Sequence, residues 1–143
     1  MKIPDESDWR SEPGCLDVKS AYGSFYGKDL AEAEALFVTN SLRYQEDIMF
    51  MPLACFRYYI WAYAHYLLSP SSINDSDGAS CFFGLVDCRM QDILKSSHEL
   101  QAKIKEVLLR LKEDQRTYDA DPEIYGDFDT RARPLLDYLN CIK

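Results

Sequence analysis

The hydrophobic positions of this chain fall into five runs with helical spacing, and one run dominates. From 51 to 69 the sequence reads Met-Pro-Leu-Ala-Cys-Phe-Arg-Tyr-Tyr-Ile-Trp-Ala-Tyr-Ala-His-Tyr-Leu-Leu-Ser. A helix is predicted over 52–68. Pro52 suits a first turn, where its missing N–H costs nothing. Pro70 ends the run, because the residue before a proline avoids the helical region. Leu53, Phe56, Ile60, Tyr63 and Leu67 make one apolar stripe. Cys55, Tyr59, Ala62 and Tyr66 make a second, and Ala54, Tyr58, Trp61, His65 and Leu68 a third. A helix apolar on every face is covered by neighbours on several sides. The rest of the chain therefore reads as its cover.

Four further helices follow from the same spacing. Asp29 and Glu32 form a capping box that opens 29–45. Leu30, Ala33, Phe37 and Tyr44 share its inner face with Leu36, and Ala31, Ala35, Val38 and Leu42 widen it. The polar loop 70–78 leads to a helix over 78–90, capped by Ser76 or Asp77, which buries Cys81, Phe82, Leu85, Val86 and Met90. Gly84 inside it costs about 1 kcal/mol against alanine, which a close crossing over 52–68 would explain. Ser96 and Glu99 cap a helix over 97–118, with Leu100, Ile104, Val107, Leu108 and Leu111 inward. The last helix, 131–141, carries Pro134 in its first turn and buries Leu135, Leu136 and Leu139. The stretch 15–27 reads as a short helix or an extended piece, broken by Gly23 and Gly27. Residues 1–14 are polar and proline-bearing and read as a loose arm, with Trp9 its one possible anchor. No strand alternation and no repeat is visible. The expected fold is all-α: a single domain over 1–143, with five helices packed antiparallel around 52–68.

The totals narrow the classes of function. A chain of 143 residues suits one domain and needs no disulfide staple. The net charge of −8 and pI of about 4.7 repel phosphate, so nucleic acid is not an expected partner. The same charge admits a basic protein partner, with Asp114, Asp119, Asp121, Glu123, Asp127 and Asp129 as the densest acidic run. The five cysteines are odd in number, and none sits at C-x-x-C spacing. The first fourteen residues carry Asp5, Glu6, Asp8 and Glu12 and no apolar run, unlike a secretory signal. Reduced, inert thiols in a cytoplasm are the expectation. Segment 48–68 approaches the ~20 residues of a membrane span. It would however bury Arg57 and His65 in lipid and place its tyrosines mid-span, so no membrane association is expected.

Phe25-Tyr-Gly-Lys-Asp-Leu30, Tyr44-Gln-Glu-Asp47, the run Met51 to Tyr63 and Phe82-Phe-Gly-Leu-Val-Asp87 resemble small bacterial helical proteins of unknown function. The hallmark of that group is a proline-started helix reading Phe-Arg-Tyr-Tyr-x-x-Ala. The resemblance covers 25–90 and implies a helical bacterial cytoplasmic protein. It implies no reaction, cofactor or site residue.

Candidate chemistry is sparse. His65 and His98 belong to no Glu-x-x-His or His-Glu-x-x-His pattern, so neither a di-metal bundle nor a zinc-protease site is indicated. Cys55 and His65 stand ~15 Å apart along one helix, too far for a dyad. No nucleophile elbow or phosphate loop is present. No cofactor is expected, and the sequence sets no oligomeric state. One cluster stands out: Glu46 and Asp47 before the 52–68 helix, with Arg57, Tyr58, Trp61 and His65 on or near one side of it. Carboxylates, a guanidinium and aromatic rings can hold a small polar ligand. The same residues can equally form a structural ion pair, with Glu46, Asp47 or Asp87 opposite Arg57. Two functions follow. The leading one is a non-enzymatic interaction protein of the inhibitor or immunity-partner kind. The other is a small-molecule-binding or enzymatic domain built on the Arg57 region.

Overall fold

A computed structural model describes residues 1–10 and 15–141. Among them are eight α-helices: α1 (Leu16–Phe25), α2 (Leu30–Met49), α3 (Leu53–Leu68), α4 (Ser76–Cys88), α5 (Met90–Leu94), α6 (His98–Glu113), α7 (Pro122–Tyr125) and α8 (Phe128–Asn140). Two 3₁₀ turns, Pro70–Ser72 and Gln115–Tyr118, join them. The five expected helices are α2, α3, α4, α6 and α8. They close a ring in which α2 packs on α3, α3 on α6, α6 on α8, α8 on α4 and α4 on α2, with α1 outside against α2. No helix among the described residues is long and apolar enough to cross a membrane.

Helix α3 starts at Leu53, one residue later than the spacing predicts, with Pro52 as its N-cap, and is the most deeply buried member. Its cover has one gap. Leu53 is 41% exposed, and Arg57, Trp61, His65 and Leu68 are half-buried along one edge, while Tyr58 of the expected third stripe is buried. Apolar character on every face therefore overstated the wrapping: rings with polar tips tolerate an edge that meets water.

The tyrosines of α3 do more than fill space. The Tyr59 hydroxyl lies 2.8 Å from both the Phe25 and Lys28 carbonyls, where it donates to the end of α1 and the turn into α2. Tyr63 donates to the Gly78 carbonyl in the first turn of α4, and Tyr66 donates to Asp75, the α4 N-cap. In return, Tyr118 donates to the Leu67 carbonyl at 2.7 Å, and Ser72 Oγ reaches the same oxygen at 3.0 Å. Helix C-termini leave carbonyls unpaired, and at the ends of α1 and α3 hydroxyls pair them. The stacked rings of Phe37 and Tyr63, 4.9 Å apart, join α2 to α3, and Tyr63 meets Phe82 of α4 edge-on at 5.2 Å.

Several expectations are corrected. The arm 1–14 is not loose over residues 1–10, and 11–14 lie outside the described residues. A turn at 6–9 places Trp9 in the core, 4% exposed, edge-on to Tyr22 at 5.7 Å and against Tyr59 at 6.0 Å. Polar neighbours hid a single large ring whose burial fastens the whole segment. Within the stretch 15–27, Leu16–Phe25 is helical as α1, through Gly23 and up to the turn at Gly27. Helix α2 runs on to Met49 but breaks at Asn40 (φ −163°, ψ 82°). Its buried stripe is Ala33, Phe37, Ser41, Gln45 and Ile48, so Val38 and Leu42 face outward instead of widening it. Gly84 is exposed with open space around it, and no close crossing explains it. The demanding glycine is Gly78, where a Cβ would lie 2.8 Å from Ser41 Oγ and closer still to the Asp75 carboxylate. Asp75 caps α4, and Ser97 Oγ, not Ser96, accepts the Leu100 N–H of α6. Helix α6 stops at Glu113, short of the expected 118. Helix α8 starts at Phe128, which leaves Pro134 inside it rather than in its first turn.

Two outcomes follow from this packing. Trp9→Ala should cost about 3–5 kcal/mol, the range for a core aromatic. Trp9→Phe should cost less, because the indole N–H it removes is buried without a partner. Chemical denaturation of both variants checks this. The second outcome concerns alkali. Burial, ahead of nearby charge, raises the ionisation of Tyr59, Tyr63, Tyr66 and Tyr118 above the ordinary value of 10.0. A raised native value means stability that is whole below pH ~10 and lost as pH climbs past it, because the unfolded chain releases those protons first. Tyrosinate absorbance and far-UV circular dichroism, followed together from pH 8 upward, check this. The buried set should titrate only as helicity falls.

Candidate functional site

The structure disperses the cluster expected from the sequence. Glu46 is exposed on α2, on the side where its charge reaches the Cys81 thiol. Asp47 is buried, 6% exposed, and accepts the Ser20 hydroxyl of α1 at 2.8 Å, while its other oxygen has no partner. Tyr58 is buried edge-on to Tyr59 at 4.8 Å, near the start of α2. Arg57, Trp61 and His65 do stay together on the open edge of α3, with Trp61 and His65 rings 5.8 Å apart. Arg57 meets no carboxylate among the described residues. Its Nη2 donates to the Lys95 carbonyl at 3.3 Å, and its Nε is buried without a partner. Asp87 is exposed beside Phe83, Gly84 and Arg131, on another face. The expected ion pair to Glu46, Asp47 or Asp87 is thus absent. Nearness in sequence across a helix start did not become nearness in space, because the 49–52 turn points the two helices' side chains apart.

The arginines that organise the fold are others. Arg89 Nη1 donates to the carbonyls of Met49 at 3.0 Å and Met51 at 2.9 Å, and its Nε pairs with Asp92 at 2.7 Å. Its guanidinium lies 4.1 Å over the Phe56 ring. It thereby caps the end of α2 and holds the turn into α3. Arg131 Nη1 donates to Ser80 Oγ at 2.8 Å and to the Tyr125 carbonyl at 2.9 Å, with Phe83 beneath at 4.7 Å. Sequence patterns missed both, because carbonyl-directed arginines have no spacing signature.

The most distinctive concavity lies where α2 breaks. Asn40 leaves the helix, and its side-chain oxygen accepts the Arg43 N–H at 3.2 Å, which restarts the helix as an N-cap would. The restarted turn faces the beginning of α4. Asp75 bridges the two: it accepts the Gly78 N–H at 3.0 Å, the Ser41 hydroxyl and the Tyr66 hydroxyl. Asn74 holds a left-handed φ of 68°, which asparagine tolerates, and donates its N–H to Thr117 at 2.9 Å. Between them is an open cleft of about 430 Å³, lined by Asn40, Ser41, Tyr66, Asn74, Asp75 and Asp77. Val38, Leu42 and Ile73, each about half exposed, line it as well. Asp75 and Asp77 form no ion pair among the described residues. Asp77 instead accepts the Tyr125 hydroxyl at 2.9 Å. An asparagine and a serine at mid-helix were the signal in the sequence: both favour caps over helix interiors.

The acidic run expected to face a partner is largely engaged within the molecule. Asp129 pairs with Lys112 at 3.2 Å and Arg133 at 2.7 Å, and those two contacts hold its carboxyl below the usual range. Asp114 pairs with Arg110, and Asp121 caps Glu123. The thiols of the core are poor nucleophiles. Burial, then Asp8 and Asp5, pushes Cys55 up to about 12, and burial, then Asp77, raises Cys81. Among the described residues no group of three or more His, Cys, Asp or Glu could hold a metal ion. Comparison with known proteins finds no matching family model, no matching curated protein and no matching solved structure.

The two arginines should separate cleanly by mutation. Arg89→Met orphans two main-chain carbonyls and should cost about 1–3 kcal/mol. Arg57→Met removes one long hydrogen bond on an open edge and should stay within about 0.5 kcal/mol. Urea midpoints of both variants measure this. Near-equal losses would contradict the assignment.

Proposed function

We propose that this chain is a protein-binding domain whose cleft at the α2 break takes a basic, aliphatic segment of another protein. The observation that supports it is the pairing of two carboxylates without cations, Asp75 and Asp77, with exposed Val38, Leu42 and Ile73 in one concavity. A lysine or arginine matches both parts, since its apolar stem lies on aliphatic surface while its head meets a carboxylate. The net charge of −8 steers a basic partner toward the molecule and turns nucleic acid away. The cleft holds no nucleophile paired with a base, so the reading assigns no reaction. The likeness to small bacterial proteins and the free state of all five cysteines go with work in a bacterial cytoplasm.

Short peptides graded in lysine, arginine and leucine content, arrayed and probed with the labelled chain at low and high salt, test the reading. Basic aliphatic peptides should be retained at low salt and released at high salt, and acidic ones should not bind. Asp77→Lys and Ile73→Ser lie on exposed positions and should leave the fold intact while weakening retention about tenfold. Retention blind to peptide charge, or unchanged in Asp77→Lys, overturns the proposal.

A further inference from the structure

The open edge of α3 borders a second, smaller cavity, of about 180 Å³, and its chemistry is opposite to that of the acidic cleft. Arg57, Trp61, Lys95, Ser96, Ser97 and Leu100 line it, together with Met1. Neither Arg57 nor Lys95 forms an ion pair among the described residues. Six other cations do, with Asp5, Asp92, Glu106, Asp114 and Asp129. Arg57 engages the Lys95 carbonyl through Nη2 alone, and this contact brings the two cationic residues to one wall. A guanidinium carries five N–H donors, so most of its capacity is unspent. Both cationic residues line the cavity with no carboxylate among its lining, in a chain whose net charge of −8 made carboxylates plentiful. The Ser96 hydroxyl is turned inward to the Ile93 carbonyl, and Ser97 Oγ accepts the Leu100 N–H. The charged donors facing a guest are the Arg57 and Lys95 side chains, and the Ser97 O–H, which only accepts in its helix cap, remains free to donate. Glu99, in the first turn of α6, is exposed and does not line the cavity. Trp61 supplies an apolar wall beside them.

We propose that this cavity binds a small oxyanion of the size and charge of a phosphate group, held by Arg57 and Lys95 against Trp61. Arginine takes a tetrahedral oxyanion through paired N–H donors, and lysine adds a point charge. This site is independent of the acidic cleft, and each can fail without the other.

The test is a titration of the isotope-labelled full chain followed by amide and indole chemical shifts, at constant ionic strength. Inorganic phosphate, phosphoethanolamine and chloride are the three probes. Phosphate should shift the Trp61 indole and the 95–97 amides along one saturable curve, and chloride should not. Phosphoethanolamine binding as well would mean that the site accepts a phosphoryl group carried on a larger molecule. Phosphate binding alone would restrict it to the free ion. Arg57→Met should weaken binding about tenfold and Lys95→Met several-fold, while Arg133→Met, on α8, should leave it unchanged. Dispersed shifts elsewhere confirm that each variant folds, and the exposed Lys95 keeps the test decisive if Arg57→Met does not. Linear shifts, equal responses to chloride and phosphate, or curves unaffected by both substitutions overturn the proposal.

Discussion

Every helix end leaves carbonyls or N–H groups without a partner, and a fold built of short helices has many such ends. This molecule meets that constraint from within, through phenolic hydroxyls. Tyr59, Tyr63 and Tyr66 stand one turn apart along α3: Tyr59 reaches the α1–α2 turn, and Tyr63 and Tyr66 reach the first turn and the cap of α4. Tyr118 returns the arrangement by capping α3 itself. A phenylalanine would fill the same volume but remove these bonds, at about 0.5–1.5 kcal/mol apiece. The tyrosine content of α3 is thus a statement about where its neighbours begin and end.

Arginines do the same work at the periphery. Arg89 and Arg131 aim at main-chain carbonyls and lie over Phe56 and Phe83. Arg131 meets no carboxylate among the described residues. A cation used on carbonyls does not neutralise an aspartate, so a chain already rich in acid is left with unpaired carboxylates at its surface. Asp75 and Asp77 are such a pair. Asp75 accepts three hydrogen bonds from neutral donors, which occupy its oxygens without supplying a counter-charge. The acidic cleft is in this sense a by-product of how the helix ends are held.

The five long helices were legible in the sequence because each buries an apolar stripe at one period, and the period is visible without knowing the partner. The short elements α5 and α7 were not, since one turn carries too few positions to show a period. Trp9 was hidden for a related reason: a single ring can anchor a polar segment, and spacing has nothing to say about one residue. Caps were legible to within a residue or two, as Asp75 in place of Ser76 shows, because Asn74-Asp-Ser-Asp77 offers several oxygens in a row. The Arg57 cluster failed differently. Charge pairing depends on side-chain direction across a turn, and the turn at 49–52 sends Asp47 toward Ser20 and Arg57 toward Lys95. Of the six residues grouped from the sequence, only Arg57, Trp61 and His65 share an edge.

The acidic cleft and the cationic cavity can coexist because α3 keeps them apart. Tyr66 lines the first and Arg57 the second, nine residues along one helix, which is about 13 Å of rise. The screening length at physiological salt is about 8 Å, so exposed charges at the two ends interact little. Each end can therefore keep the sign its own neighbours impose, and a net charge of −8 does not decide the potential inside a small cavity. The rigid spacer that separates them is the same helix whose hydroxyls hold the elements lining the cleft. A change that loosened α3 would disturb both ends at once, whereas a substitution on either rim leaves the opposite end in place.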